Sequence, residues 1–114
     1  MNISEWLEKF RVSWLKKDIP AVMDLFADDV EYWETPYKKL SSKQAIGDEW
    51  QVIKNQENLV LTFTTFASEK SSHAVRWTIS YDQNGKHNIW AGTYFIMLNN
   101  DGKCVYFYQT GEQE

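Results

Sequence analysis

Helical periodicity and strand alternation occupy opposite halves of this chain, and that segregation limits its possible folds more than any other feature. Ile3, Leu7, Phe10 and Trp14 recur at helical spacing over residues 3–17, and Asn2, with Glu5 three residues on, or Ser4 can cap the start. Asp18 and Pro20 then restart the chain, the first as cap and the second in the first turn, where its missing N–H costs nothing. A short second helix, 20–27, carries Val22, Leu25 and Phe26 on one side. The segment VEYWET, 30–35, is aromatic and β-branched and ends at Pro36, which predicts a strand. Ser41 and Gln44 form a capping box for a third helix that runs to about Asn55, with Ile46, Trp50 and Ile53 as its inward stripe.

Beyond it the pattern predicts strands near 59–67, 73–81, 87–98 and 103–110, parted by SEKSS, DQNG and NNDG. Asn-Gly and Asp-Gly are the turn chemistry of antiparallel hairpins. The order α-α-β-α-β-β-β-β argues an α+β domain spanning 1–114 with a largely antiparallel sheet. A parallel dinucleotide-binding sheet needs alternating units and a glycine-rich turn, and the five glycines here are dispersed.

Composition sharpens this. Aromatic residues make up 16% of 114 residues, enough for a thick core, a ring-lined cavity or a buried partner surface. A net charge of −4 provides no electrostatic footprint for nucleic acid. No window approaches the roughly 18 apolar residues of a membrane span, and MNISEWLEKF lacks the basic start and apolar run of a signal peptide. Cys104 is the only cysteine, so neither an intramolecular disulfide nor a thiolate metal cluster can form, and the expected setting is a reducing cytoplasm.

Strand faces add a partner. Val75, Trp77, Ile79 and Tyr81 share one face of their strand, while Arg76, Thr78 and Ser80 share the other, so the first set looks toward the helices. The next strand differs: Trp90, Tyr94, Ile96 and Leu98 fill one face, and Ala91, Thr93, Phe95 and Met97 fill the other. CVYFY, 104–108, is likewise apolar on both sides. A sheet with helices on one side only leaves the second face to another subunit, and a homodimer through the outer face is expected.

The segments FRVSWLKKDIPAVMDLFADDVEYWETP, QAIGDEW, AVRWTISYDQNG and DGK, in this order, resemble the nuclear transport factor 2-like superfamily, which includes ketosteroid isomerases and SnoaL-like polyketide cyclases. The resemblance implies a cone-shaped roll, a strongly bent sheet wrapped around three helices with a pocket at the wide end. It also implies dimers through the outer sheet face. Since one such fold hosts many chemistries, function rests on the site.

Aligned without gaps from LFADD, Glu34 falls where the ketosteroid isomerases keep a general-base carboxylate. The family's hydrogen-bonding tyrosine on the first helix corresponds to Phe10, which has no hydroxyl. Its oxyanion-binding acid corresponds to Tyr94, a phenol. The loss of one such donor typically costs roughly 2.7–4 kcal/mol of transition-state stabilisation, so steroid isomerisation of the familiar kind is not expected. The Asp-Arg-Asp arrangement of limonene epoxide hydrolase is not evident either, since Arg76 has no aspartate beside it on its strand.

Glu34 shares parity with Val30 and Tyr32; if that face is inward, desolvation raises its pKa toward that of a useful base. Tyr32, Trp50, Phe10, Trp77 and Phe107 are the rings expected to contact a ligand or form the core beneath it, with Trp50 nearest the opening and Trp14 in the core. Gln109, in parity with Phe107, offers an amide near the open end. Asp28-Asp29 reads as the end of the second helix and the cap of the next turn, and Lys16-Lys17 as a helix-end pair. His73 and His87 have no third ligand at a zinc spacing, and the serines lack a nucleophile elbow. No metal or cofactor is expected.

Two functions fit. One is a cofactor-free isomerase, cyclase or dehydratase, with Glu34 as proton shuttle and Tyr94 polarising the carbonyl of a small, mostly apolar substrate. The other is a non-catalytic apolar-ligand binder or dimeric scaffold of the same fold.

Overall fold

The computed structural model describes all 114 residues. Helix α1 (Ile3–Leu15) is capped by Asn2, whose side chain accepts from the Glu5 N–H. It buries Trp6, Leu7, Phe10 and Trp14 along one stripe. Asp18 caps α2 (Ile19–Met23) through the Ala21 N–H, with Pro20 in the first turn. Ser42, not Ser41, caps α3 (Lys43–Trp50), which tightens into a 3-10 turn over Gln51–Asn55.

Six strands follow or interleave: β1 (Phe26–Thr35), β2 (Lys38–Leu40), β3 (Glu57–Glu69), β4 (Ser72–Gln83), β5 (Lys86–Leu98) and β6 (Cys104–Gln113). They form one open sheet in the order β2-β1-β6-β5-β4-β3. β3 to β6 is an antiparallel meander, whereas β1 joins β6 in parallel. The α+β domain with a largely antiparallel sheet expected from the residue pattern, and the bent roll implied by the resemblance, are the fold observed, with the helices against the inner face of the sheet.

The second helix is shorter than its pattern suggests, and β1 starts four residues early. Phe26 pairs with Cys104, and the Leu25 carbonyl accepts from the Cys104 N–H at 2.9 Å. This pairing to a distant strand overrides the local helical pattern, so Asp28 and Asp29 are exposed residues of β1 rather than a helix end. Strand β2, which no local pattern announced, is an exposed three-residue edge with Leu40 turned inward. Asn84 and Gly85 both hold positive φ in the β4–β5 turn, as a two-residue hairpin of this hand requires.

The inner face carries Val75, Trp77 and Ile79 of β4, Tyr94, Ile96 and Leu98 of β5 and Phe107 of β6, all buried against the helices. Glycines make the bend possible where Trp77 crosses its neighbours. Gly92 and Gly111 are paired on β5 and β6. A Cβ at either would stand 2.7 Å from Trp77 Cζ2, and at Gly92 it would also strike the Thr110 carbonyl oxygen. The outer face is different. Phe95 pairs with Tyr108 and Met97 with Tyr106, while Trp33 of β1 lies across from Tyr108. These side chains are only partly covered, and Phe95 is 46% exposed.

Candidate functional site

Alternation along β1 turns Val30, Tyr32 and Glu34 to the same side, and the first two are buried. Glu34 follows them to the mouth of the interior, where it is half-buried. Across the parallel junction, Gln109 of β6 donates its Nε2–H to Glu34 Oε1 at 3.1 Å. From the helix side, Trp50 Nε1–H donates to the Tyr32 hydroxyl oxygen at 3.0 Å. Glu49, beside Trp50 at the end of α3, is held by Lys38 Nζ of β2 at 3.1 Å.

These groups border a cavity of about 120 Å³. Glu34, Tyr94, Tyr32, Trp50 and Gln109 line it together with Trp14, Glu49, Val52, Ile53 and Gln56. Phe10, Trp77 and Phe107, the other rings singled out in the sequence, are not on the lining. Phe10 is sealed among Trp6, Trp14, Trp50, Phe63 and Tyr94. Phe107 stacks on Tyr32 at 4.7 Å, and Trp77 stacks on the far side of Tyr94 at 5.4 Å. Ring packing therefore fills the interior beneath the cavity that Glu34 borders.

Trp14 was expected in the core, yet it both packs there and walls the cavity, its Nε1–H bonded to the buried Gln56 Oε1 at 3.0 Å. Glu49 and Gln56 were not singled out. Glu49 is three residues beyond Ile46 at the margin of the apolar stripe of α3, the one signal that could have found it.

The electrostatics follow from this geometry. Burial is the largest influence on Glu34, and the Glu49 carboxylate adds to it; together they push its pKa up to about 7. Lys38 and side-chain hydrogen bonding from Tyr32 and Gln109 hold it back from rising further. Burial, and secondly the charge of Glu34, also raises the Tyr94 phenol above its ordinary range, so it stays protonated. The Tyr94 ring is 2% exposed, and no protein group bonds its hydroxyl. The only polar side-chain atom sealed without a partner is Trp77 Nε1, so the Tyr94 hydroxyl opens into the cavity. Chemically this is a carboxylate that changes charge near neutrality beside a free phenolic donor.

A broader depression of about 660 Å³ lies around the β3–β4 turn and the outer side of β5. It is lined by the turn residues with Phe95 and Met97, and its one cross-strand polar pair is Ser68 Oγ to His73 Nδ1 at 2.7 Å. Glu69 and Lys70 of the turn also line it, and neither is bonded to this pair. His87 pairs with Asp82 at 2.7 Å on the surface, and no three His, Cys, Asp or Glu side chains converge to hold a metal ion. No helix is long and apolar enough to cross a membrane.

Comparison with known proteins supports the same frame. The family model of the SnoaL-like domain matches residues 7–107. No curated protein matches the sequence. Among solved structures, the Δ5-3-ketosteroid isomerase of Mycobacterium sp. superposes with a TM-score of 0.81 at 15% identity, over 98% of each chain. A putative polyketide cyclase of Xanthomonas campestris pv. campestris gives 0.77 at 13% identity, over 93% of this chain and 87% of its own. RV0760c of Mycobacterium tuberculosis, in complex with estradiol-17β-hemisuccinate, gives 0.78 at 18% identity, over 91% of this chain and 88% of its own. At such identities the likeness is one of fold.

Proposed function

Starting from a chain that belongs to the SnoaL-like domain family, we propose a cofactor-free enzyme that moves a proton at a carbon next to a carbonyl. The observation that carries the reading is Glu34, a half-buried carboxylate whose pKa is pushed up to about 7, on the lining of the same cavity as an unpartnered Tyr94 hydroxyl. Ionised Glu34 takes the proton from the substrate carbon, and the electron pair of that C–H bond moves toward the carbonyl oxygen. Tyr94 donates a hydrogen bond to the oxygen as it gains charge. Glu34 then returns the proton to another carbon, which completes an isomerisation, or the electron pair expels a hydroxyl group that takes the proton back from Glu34 and leaves as water, which completes a dehydration. A base with a pKa near neutrality is ionised in useful amount and still strong enough to accept. Gln109 and Tyr32 orient the carboxylate, while Trp50 orients Tyr32.

Size narrows the substrate. Drug-sized ligands occupy roughly 300–1,000 Å³, and this cavity of about 120 Å³ accepts a molecule of a few carbons. Fold relatives hold small ligands in solved structures, as the estradiol-17β-hemisuccinate complex shows for RV0760c. A four-ring steroid exceeds the room here. Self-association through the outer face completes the reading, because Phe95, Met97, Tyr106 and Tyr108 form a partly covered apolar patch. Cys104 is sealed in the core with its thiol pKa pushed up to about 12, which suits a reducing compartment such as the cytoplasm.

The deciding experiment is tryptophan fluorescence from pH 4 to 9 on the wild type and on Glu34→Gln. Trp50 bonds the hydroxyl beside Glu34, so ionisation is expected to give a transition near pH 7 that the variant lacks. Superimposable titrations would overturn the proton-transfer reading and leave the non-catalytic apolar-ligand binder.

A further inference from the structure

The charge inventory of the cavity is one-sided. Its lining holds two carboxylates, Glu34 and Glu49, and no basic side chain. Lys38 is bound to Glu49 at 3.1 Å and reaches Glu34 through its charge alone, so the hydrogen-bond partners of ionised Glu34 are the neutral Gln109 amide and the Tyr32 hydroxyl. Around it stand aromatic walls. Trp14 and Trp50 meet at 83° with ring centroids 4.7 Å apart, and Tyr32 and Tyr94, stacked on Phe107 and Trp77 respectively, also line the space. The Tyr94 hydroxyl, in a side chain 2% exposed, is without a protein partner and faces this space.

An anion is repelled by Glu34, whereas the charge of Glu49 is offset by Lys38, and a hard metal ion needs more oxygen ligands than converge here. A neutral hydrocarbon fills the rings but leaves the Glu34 charge and the Tyr94 hydroxyl unanswered. A positive nitrogen clothed in carbon, with a hydroxyl or carbonyl on one arm, satisfies all three demands, since it offsets the carboxylate, packs against the rings and gives Tyr94 a polar group. The volume, about 120 Å³, equals roughly four waters at ~30 Å³ each.

We propose that this cavity recognises a small organic ammonium ion, its nitrogen set against Glu34 within the Trp14, Trp50, Tyr32 and Tyr94 rings. The inference rests on the reading of this cavity as the ligand site and names the ligand class. A charge carried beside the reacting carbon also acidifies the C–H bond from which Glu34 takes its proton.

Choline and its neutral isostere 3,3-dimethylbutan-1-ol are the probes, titrated by tryptophan fluorescence and calorimetry at pH 8 and at pH 5.5. At pH 8 choline is expected to bind about tenfold or more tightly than the isostere. The preference should collapse at pH 5.5, where Glu34 carries its proton, and in Glu34→Gln at either pH. The groups facing Glu34 are Tyr32 on its own strand, Glu49 of α3, Lys38 of β2, Tyr94 of β5 and Gln109 of β6. Bound choline should also move the Glu34 transition to lower pH. Equal affinity for both probes at pH 8 would overturn the inference and leave the cavity as a ligand site. Binding of neither probe would overturn both. A preference for choline that survives at pH 5.5 would overturn the role given to Glu34, and the wild-type comparison stands whether or not the variant folds.

Discussion

The two ends of the interior are built from the same parts and do opposite things. At the closed end, Trp6 packs with Phe10, Phe26 and Phe107, and its indole N–H goes to the Leu25 carbonyl at 3.0 Å. The bond stops at the backbone, and nothing there can change charge under ordinary conditions. At the open end, the Trp50 N–H goes to a side-chain hydroxyl, and that hydroxyl faces an acid whose pKa is about 7. Rings become a core when their polar atoms end on the main chain. They become a site when the chain of partners continues to a titratable group.

That contrast can be tested from its strongest consequence downward. Phe107→Ala should remove about 3–5 kcal/mol of unfolding free energy in urea, because the ring touches Trp6, Phe26, Tyr32 and Tyr94 and the void cannot collapse. A loss under about 1 kcal/mol would mean that the closed end is not the rigid part of the molecule.

Glu34→Gln should act in the opposite direction and only above a certain pH. The folded-state pKa, about 7, lies above the ordinary value of 4.5. The folded protein therefore keeps a proton that the unfolded chain releases between these limits. Stability from this group is intact below pH 4.5, falls as pH rises through 7 and is lowest beyond it. The variant should thus gain about 1–3 kcal/mol at pH 8, after allowance for the solvent-facing side of Glu34, and nothing at pH 4. Thermal unfolding across that range measures it.

Trp50→Phe keeps a ring and deletes the bond to Tyr32, so about 1 kcal/mol of stability should be lost. The Glu34 transition should move as well, since Tyr32 becomes freer to turn. A change in stability with no change in that transition would separate Trp50 from the titrating group. Smallest of all, Phe95→Thr on the outer face should leave monomer stability within about 0.5 kcal/mol. It should nevertheless abolish the concentration dependence of Tm that self-association produces. Light scattering that shows a monomer in the wild type would remove the outer face from the account.

The legibility of this molecule in its sequence followed the range of each interaction. Caps at Asn2 and Asp18, the Asn84-Gly85 turn and the faces of β4 and β5 are written in adjacent residues, and they were readable. The early start of β1 and its parallel pairing with β6 depend on contacts between distant segments, so the local helical pattern around Leu25 misled. Within the site, parity alone placed Glu34 beside Tyr32. Depth along the roll has no periodic signature, which is why Phe10, Trp77 and Phe107 could not be told apart from Trp50 as ring contacts. Glu49 and Gln56 carry polar side chains at element ends, where most such residues are solvated, and only packing reveals them.

The bond between Glu34 and Gln109 joins residues 75 positions apart. The meander from β3 to β6 assembles through neighbouring hairpins, whereas β1 must close a loop around the whole of it before it meets β6. Closure of so long a loop is entropically the most costly step, and late docking of β1 is its expected kinetic result. The pocket is then missing one wall throughout most of the folding reaction. A ligand finds no template in the half-built chain. A ligand of the proposed site would bind only the finished protein, and its effect on kinetics should be to slow unfolding while the rate of folding stays as it was.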